Sequence, residues 1–195
     1  MLRRLLLLAP VVLAACQPLT RPVELGPWNA RKAALESSLH WRFEGRVAVS
    51  GVESGGSAGI RWQQNAARSD VAVFGALGAG ALRIELEGAR LHVETSSGEA
   101  VDDEAARQAL ADRLGAPLPL AELRYWLLGI AAPGSEATEV LGGNGRLSAL
   151  TQRGWEVRFT EYGPVAGDVL PARVDATQGG VRVRLKISHW EWHQP

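Results

Sequence analysis

Apolar side chains recur at every second position through most of this chain and at every third or fourth position in three short stretches. From Trp28 to Leu39, the apolar Trp28, Leu35 and Leu39 stand at helical spacing, with Arg31, Lys32 and Glu36 on the opposite face. This spacing predicts an amphipathic helix. The period then drops to two. Val47 and Val49, Ile60 and Trp62, Val71 and Val73, then Leu82, Ile84 and Leu86, and finally Leu91 and Val93 alternate with polar or small residues between glycine clusters. Five short strands follow, each apolar on one face and joined as antiparallel hairpins. Asp102-Asp103-Glu104 then supplies an N-cap and acids matched to a helix dipole ahead of Ala106, Leu110 and Leu114, with Gly115 at the expected stop. A third helix starts after Pro119, carries Leu120, Leu123, Trp126 and Leu127 on its apolar side and ends at Gly129. The two make a helical hairpin between strands. Beyond them Leu147 and Ala149, then Trp155, Val157 and Phe159, then Leu170 to Ala176, and last Val181, Val183, Leu185 and Ile187 restore the alternation.

These elements predict a mainly β fold of about ten or eleven strands in meander order with three helices. The expected architecture is an incomplete, half-open antiparallel β-barrel lidded by helices. A barrel of this kind either encloses an apolar cavity or is packed solid, and the alternation is the same in both cases. From apolar phase alone, Trp62, Ile84, Leu86, Trp126, Leu127 and Trp155 are the residues expected to line such a cavity.

The first fifteen residues do not belong to that domain. Arg3 and Arg4 precede an apolar run from Leu5 to Ala15, which has the form of a secretory signal and is too short to span a bilayer of roughly 20 apolar residues. The run ends in Leu13-Ala14-Ala15-Cys16, and Cys16 is the only cysteine of the chain. That tetrapeptide resembles a bacterial lipobox, which implies that Cys16 is acylated, carries N-acyl and S-diacylglycerol groups and becomes the mature N-terminus. An ordinary secreted chain with an incidental cysteine is the alternative, and it leaves the position of Cys16 unexplained. Gln17 follows, where an Asp would favour retention in the inner membrane of enterobacterial-type cells. Residues 16–27, with three prolines, suit a flexible tether, so the division expected is signal peptide 1–15, tether 16–27 and one domain over 28–195.

Composition narrows the function further. Basic and acidic residues balance at 21 each, and Arg3 and Arg4 leave with the signal. The mature chain is then slightly acidic, with no footprint for nucleic acid. Gly55-Gly56-Ser57-Ala58-Gly59 has the letters of a nucleophile elbow, but strand-like Ile60-Arg61-Trp62 follows where a helix is required, so a flexible hairpin loop is expected. His40, His92, His189 and His193 include one near pair and no third ligand, so no metal site is expected. Gly75, Gly78 and Gly80 fit neither nucleotide motif. No catalytic residue and no cofactor is assigned. Arg182, Arg184 and Lys186 form a basic stripe on the last strand, read as a solvated sheet face in preference to a phospholipid contact.

Phe74-Gly75-Ala76-Leu77-Gly78-Ala79-Gly80 differs from an ordinary turn, because a large apolar residue stands among glycines and alanines. If exposed, Leu77 is an apolar probe worth about 1.5–3 kcal/mol on leaving water, which biases contact with a bilayer without holding the protein there. Stable attachment needs the acyl chains of Cys16. Folded back, the same leucine is a core plug, and composition does not separate the two.

Several segments together resemble the LolB family of Gram-negative outer-membrane lipoprotein receptors. They are Trp41-Arg42-Phe43-Glu44-Gly45-Arg46-Val47-Ala48-Val49, Trp62-Gln63-Gln64, Gly75-Ala76-Leu77-Gly78, Leu118-Pro119-Leu120, Arg124-Tyr125-Trp126-Leu127-Leu128-Gly129, Gly154-Trp155-Glu156-Val157, Leu170-Pro171-Ala172-Arg173 and Arg184-Leu185-Lys186-Ile187. One departure stands out, since Ala76 occupies a position where the family loop often has proline. The resemblance implies a helix-lidded, incomplete barrel whose hydrophobic cavity receives acylated lipoproteins from the soluble periplasmic carrier LolA. It implies delivery of that cargo into the phospholipids of the inner leaflet of the outer membrane by a monomer that is not an enzyme. By position, Leu77 corresponds to the membrane-insertion leucine and Cys16 to the lipid anchor. A lipid or glycolipid carrier of the same fold, or an envelope scaffold with a solid core, is the alternative.

Overall fold

The computed structural model describes residues 27–51, 55–75, 81–114 and 117–192. The signal, Cys16, most of the tether, Leu77 and His193 lie outside the described residues. Eleven strands form one antiparallel sheet: β1 (His40–Ser50), β2 (Gly56–Asn65), β3 (Arg68–Phe74), β4 (Leu82–Glu87), β5 (Arg90–Thr95), β6 (Ala100–Asp102), β7 (Ala137–Leu141), β8 (Leu147–Gln152), β9 (Trp155–Val165), β10 (Asp168–Gln178) and β11 (Val181–Trp192). The helices are α1 (Trp28–Glu36) before β1, then α2 (Asp103–Leu114) and α3 (Leu120–Leu127) between β6 and β7.

The sheet order is β6-β5-β4-β3-β2-β1-β11-β10-β9-β8-β7. Two meanders are thus joined where the first strand pairs with the last. Trp41 lies opposite Trp192, Val47 opposite Leu185 and Val49 opposite Val183, with a register shift at Glu44/Gly45. The linear order leaves β6 and β7 as unpaired edges, so the barrel is half-open, as the alternation predicts. A Cβ at Gly45 would collide with the Lys186 carbonyl oxygen, so the β1–β11 approach at this shift needs glycine.

Four local expectations are corrected. The first helix stops at Glu36, because the Ser37 and Ser38 hydroxyls donate back to the Ala34 carbonyl at 2.8 and 3.1 Å. Leu39 therefore stands outside the helix and is 46% exposed. Arg31, expected on the solvent face, is buried: its guanidinium pairs with Asp168 and donates to the Val169 carbonyl at 2.6 Å. Trp28 and Lys32 bind Glu139 of β7, so α1 is fastened by polar contacts as well as by the buried Leu35. The Asp102 and Asp103 carboxylates turn to β5, accepting from the His92 ring and the Leu91 backbone N–H at 2.7 and 3.0 Å. The glycine-rich segment read as a loop is strand from Gly56 onward, because Gly56 and Ser57 pair with Val49 and Ala48.

The end of α3 follows sequence logic closely. Gly129 has φ +76°, its N–H reaches the Trp126 carbonyl at 2.9 Å, and the Ile130 N–H reaches the Tyr125 carbonyl at 3.2 Å. This is the Schellman pattern, with buried Ile130 as its apolar contact. A Cβ on Gly129 would lie 2.9 Å from the Tyr162 hydroxyl, itself donated to the Leu147 carbonyl at 2.7 Å. Burial pushes the Tyr162 phenol up, so it stays a neutral donor there. Gly129→Ala is expected to cost about 2 kcal/mol, from the left-handed backbone and the displaced tyrosine together. The shift in the midpoint of urea unfolding measures it.

Candidate functional site

The inner face of the sheet builds a wall at one end and leaves a hollow at the other. Trp41, Phe43, Trp62 and Trp190 stack or meet edge to face with ring centroids 5.4–6.4 Å apart. These large rings close one end. Along the same face toward the β1–β2, β3–β4 and β10–β11 connections, the inward positions include Val49, Gly56, Ala58, Val73, Ala176 and Val183, which are small or β-branched. Side chains of that size do not reach across to α3. The result is a cavity of about 380 Å³, within the roughly 300–1,000 Å³ of sites that enclose a small ligand.

α3 covers it with Leu120, Leu123, Trp126 and Leu127, and Leu110 of α2 adds one side. Among the described lining residues, Ser57 carries the only hydroxyl and there is no charged side chain. The indole N–H groups of two lining tryptophans are occupied elsewhere. Trp62 donates to Gln64 Oε1 at 3.2 Å, and Trp126 donates to Gln152 Oε1 at 2.8 Å. Both glutamines are almost fully buried and otherwise satisfied: Gln64 by Ser69 and the Ala66 carbonyl, Gln152 by Ala132 and Ser135. With their polar edges tied back, these indoles present apolar surface to the hollow.

Five of the six residues picked by apolar phase border the cavity: Trp62, Ile84, Trp126, Leu127 and Trp155. Leu86 does not. It pairs with Leu91 and Ser69 at the far end of β4 and borders a separate polar cleft with Arg68, Asp102 and Asp103. Phase selects a face of a strand, whereas position along the strand decides whether that face meets the hollow. The lining also includes Val47, Val49, Val183 and Leu185. Their alternation is plain in the sequence, but the pairing of β1 with β11 that brings them together is not. Neither Gln64 nor Gln152 announced its role, since a buried glutamine has no periodic signature.

The chemistry available here is that of apolar containment. Among the described residues no three His, Cys, Asp or Glu side chains gather as a metal site. Ser57 is exposed, and among the described residues its hydroxyl accepts a hydrogen bond only from Arg46, at 3.5 Å. The cavity rim is exposed or half-exposed at Val49, Gly56, Ser57, Val73, Gly75 and Leu82, and buried at Phe43, Trp62, Trp126 and Trp155. The opening therefore lies at the end where β3 leads into the segment carrying Leu77.

Residues 39–190 match the family described as Outer membrane lipoprotein LolB. The chain belongs to the LolB family. The outer-membrane lipoprotein LolB of Nitrosococcus oceani is 30% identical, the alignment covering 96% of each chain. That of Halorhodospira halophila is 33% identical, over 94% of this chain and 92% of the relative. Among solved structures, a LolA superfamily protein from Nitrosomonas europaea superposes with a TM-score of 0.54 at 12% identity, covering 88% of this chain and 96% of its own. At that identity the likeness concerns the fold alone.

Proposed function

We propose that this chain is an outer-membrane-anchored receptor. It accepts acylated lipoproteins from a soluble periplasmic carrier, the LolA of the family pattern, and inserts them into the inner leaflet of the outer membrane. The observation that carries this reading is the uncharged, tryptophan-walled cavity in a chain of the LolB family. An acyl chain needs a dry apolar surface and no hydrogen-bond partner. The two glutamines supply that surface by binding the indole N–H groups from behind. A scaffold would have no use for a hollow of this size, because each unfilled volume in a core lowers stability.

The protein acts as a relay and not as an enzyme. With no nucleotide motif in the sequence, transfer has to run downhill: the cavity must hold the acyl chains more tightly than the carrier does, and the bilayer more tightly still. Cys16, acylated, holds the receptor at the membrane, and residues 16–27 give the domain its reach. The insertion role falls to Leu77. Its segment joins Gly75 to Leu82, and both border the cavity opening. Ala76, in place of the frequent family proline, leaves Leu77 in register.

The test separates reception from delivery. The full chain in vesicles should strip an acylated lipoprotein from its carrier, and failure to do so would exclude the receptor reading. Leu77→Glu should accept cargo at the parental rate but deliver it to the bilayer at least about tenfold more slowly, given the 1.5–3 kcal/mol that a leucine gains on leaving water. Normal delivery by Leu77→Glu would remove the loop from the mechanism.

A further inference from the structure

The outer face of the sheet carries a cluster of cations beside the cavity opening that the reading above leaves unused. Arg182, Arg184 and Lys186 point outward from β11 and are exposed. Arg46 of β1 lies opposite Lys186, and Arg158 of β9 lies one strand beyond Arg184, across Asp175 of β10. Ser50 and Thr177 flank Arg182, and Ala48 flanks Arg184 on the β1 side with Asp175 on the other, so Arg182 has small neighbours on both sides and Arg184 on one. Several other cations on this face are neutralised: Arg42 and Arg61 by Glu44, Arg68 by Asp70 and Glu85, and Arg173 by Glu161. Arg46, Arg158, Arg182, Arg184 and Lys186 make no ion pair among the described residues. Among the described residues the carboxylates within the patch are Asp175, opposite Arg184 and Arg158, and Glu156, opposite Thr177, so these residues keep an excess of positive charge.

An apolar group stands in the same patch. Phe74 faces outward from the last position of β3, with its ring over Gly59, and Gly59 lies opposite Arg46. A Cβ at 59 would run into that ring. The cations, the phenyl ring and the rim residues Val49, Gly56 and Gly75 thus share one end of the barrel.

We infer that the outward face of β1, β11, β10 and β9 at this end docks on an anionic phospholipid surface and turns the cavity opening toward the bilayer. Charge complementarity chooses the occupant, since the receptor reading on which this rests already holds the domain within reach of lipid head groups. A basic side chain near an anionic lipid surface shifts binding by about fivefold, and the effect falls off within the screening length of the salt. A tether alone leaves the domain free to tumble above the membrane. Docking would hold the mouth where an acyl chain leaves it.

The experiment uses the full chain, anchored in vesicles of phosphatidylcholine alone or of three parts phosphatidylcholine to one part phosphatidylglycerol. Thr177→Cys, beside Arg182, is labelled with a fluorophore that a head-group-attached quencher can reach, and the unsubstituted chain gives the background. Quenching should be stronger in the anionic vesicles and should fade as salt is raised. Adding Arg182→Gln and Arg184→Gln should shift the face-down population by about 25-fold, while Arg83→Gln, an exposed cation away from the patch, should change nothing. Equal quenching in the two lipids, or quenching indifferent to the paired substitution, overturns the inference. If the paired substitution instead slows cargo uptake from the carrier with quenching unchanged, the face belongs to an acidic protein surface and the lipid assignment falls. Cargo acceptance is read in the same vesicles, so a parental chain that takes up cargo but shows no lipid-dependent docking defeats this inference alone, whereas a parental chain inert in uptake defeats the receptor reading.

Discussion

Val49→Trp combined with Ala58→Trp is expected to abolish uptake of an environment-sensitive fatty-acid probe while the chain still folds. Both residues sit on the inner face at the rim, half-buried, on neighbouring strands where Val49 pairs with Gly56 and Val47 with Ala58. Two indoles there would project into the 380 Å³ hollow and occupy the path of an alkyl chain. Each methylene kept in water forfeits about 0.8 kcal/mol, so excluding four costs about 3 kcal/mol, roughly a hundredfold in affinity. Overpacking penalties of about 1–3 kcal/mol apply to filled cores, and this site is hollow, so the stability loss should fall at the low end. Val140→Trp adds the same ring on the edge strand β7, where Val140 is 52% exposed, and should leave probe binding unchanged. A folded double variant that still binds the probe with parental affinity would show that acyl chains go elsewhere.

Gln152→Ala should be the most damaging truncation of a polar residue, at about 4 kcal/mol. The Gln152 side chain accepts from Trp126 Nε1 and the Ala132 N–H at 2.8 and 3.0 Å, and it donates to the Ala132 carbonyl and the Ser135 hydroxyl at 2.8 and 2.7 Å. It is 1% exposed, so no water replaces it. Truncation leaves an indole N–H and a backbone N–H buried without partners, at about 1–3 kcal/mol each, and opens a void as well. Set against a total stability of about 5–15 kcal/mol, that loss is visible as a large fall in the urea midpoint with an unchanged slope. Trp126→Phe in the same background removes one orphaned donor and should recover part of the loss, so the two substitutions are not additive. A penalty below about 1 kcal/mol for Gln152→Ala would mean that α3 is held by apolar packing alone. Because Trp126 and Leu127 are lining residues, the same substitution should also loosen the lid and weaken probe binding.

Much of the scaffold was legible because alternation and turn chemistry are local. Strands β1 to β5 and β8 to β11 announced themselves through side chains two apart, and Gly129 marked the end of α3 because a left-handed residue was needed there. The two strands that were not legible, β6 and β7, are the edges. An edge strand is covered on fewer sides, and in β7 Val140 and Leu141 are both exposed, so the alternation that marks a half-buried strand is missing. Arg31 misled for a related reason: a charged residue at a helical position reads as solvent-facing, and only the arrival of Asp168 from 137 residues away permits its burial. Leu86 misled because it shares the phase of Ile84 but lies past the end of the hollow.

By itself the sequence determined the half-open antiparallel design, the place of the helices, the family through its scattered motifs, and the apolar character of the face that α3 covers. Each of these is read from short local patterns taken in their order along the chain. Tertiary structure alone decided that the first strand pairs with the last, that large rings fill one end of the barrel while valine, alanine and glycine leave the other hollow, and that Gln64 and Gln152 hold the tryptophan N–H groups away from the cavity. The physical reason is that a void is a property of side chains facing one another across a space. Residues far apart in the chain set its width, and the periodicity of each strand is the same whether that width is filled or empty.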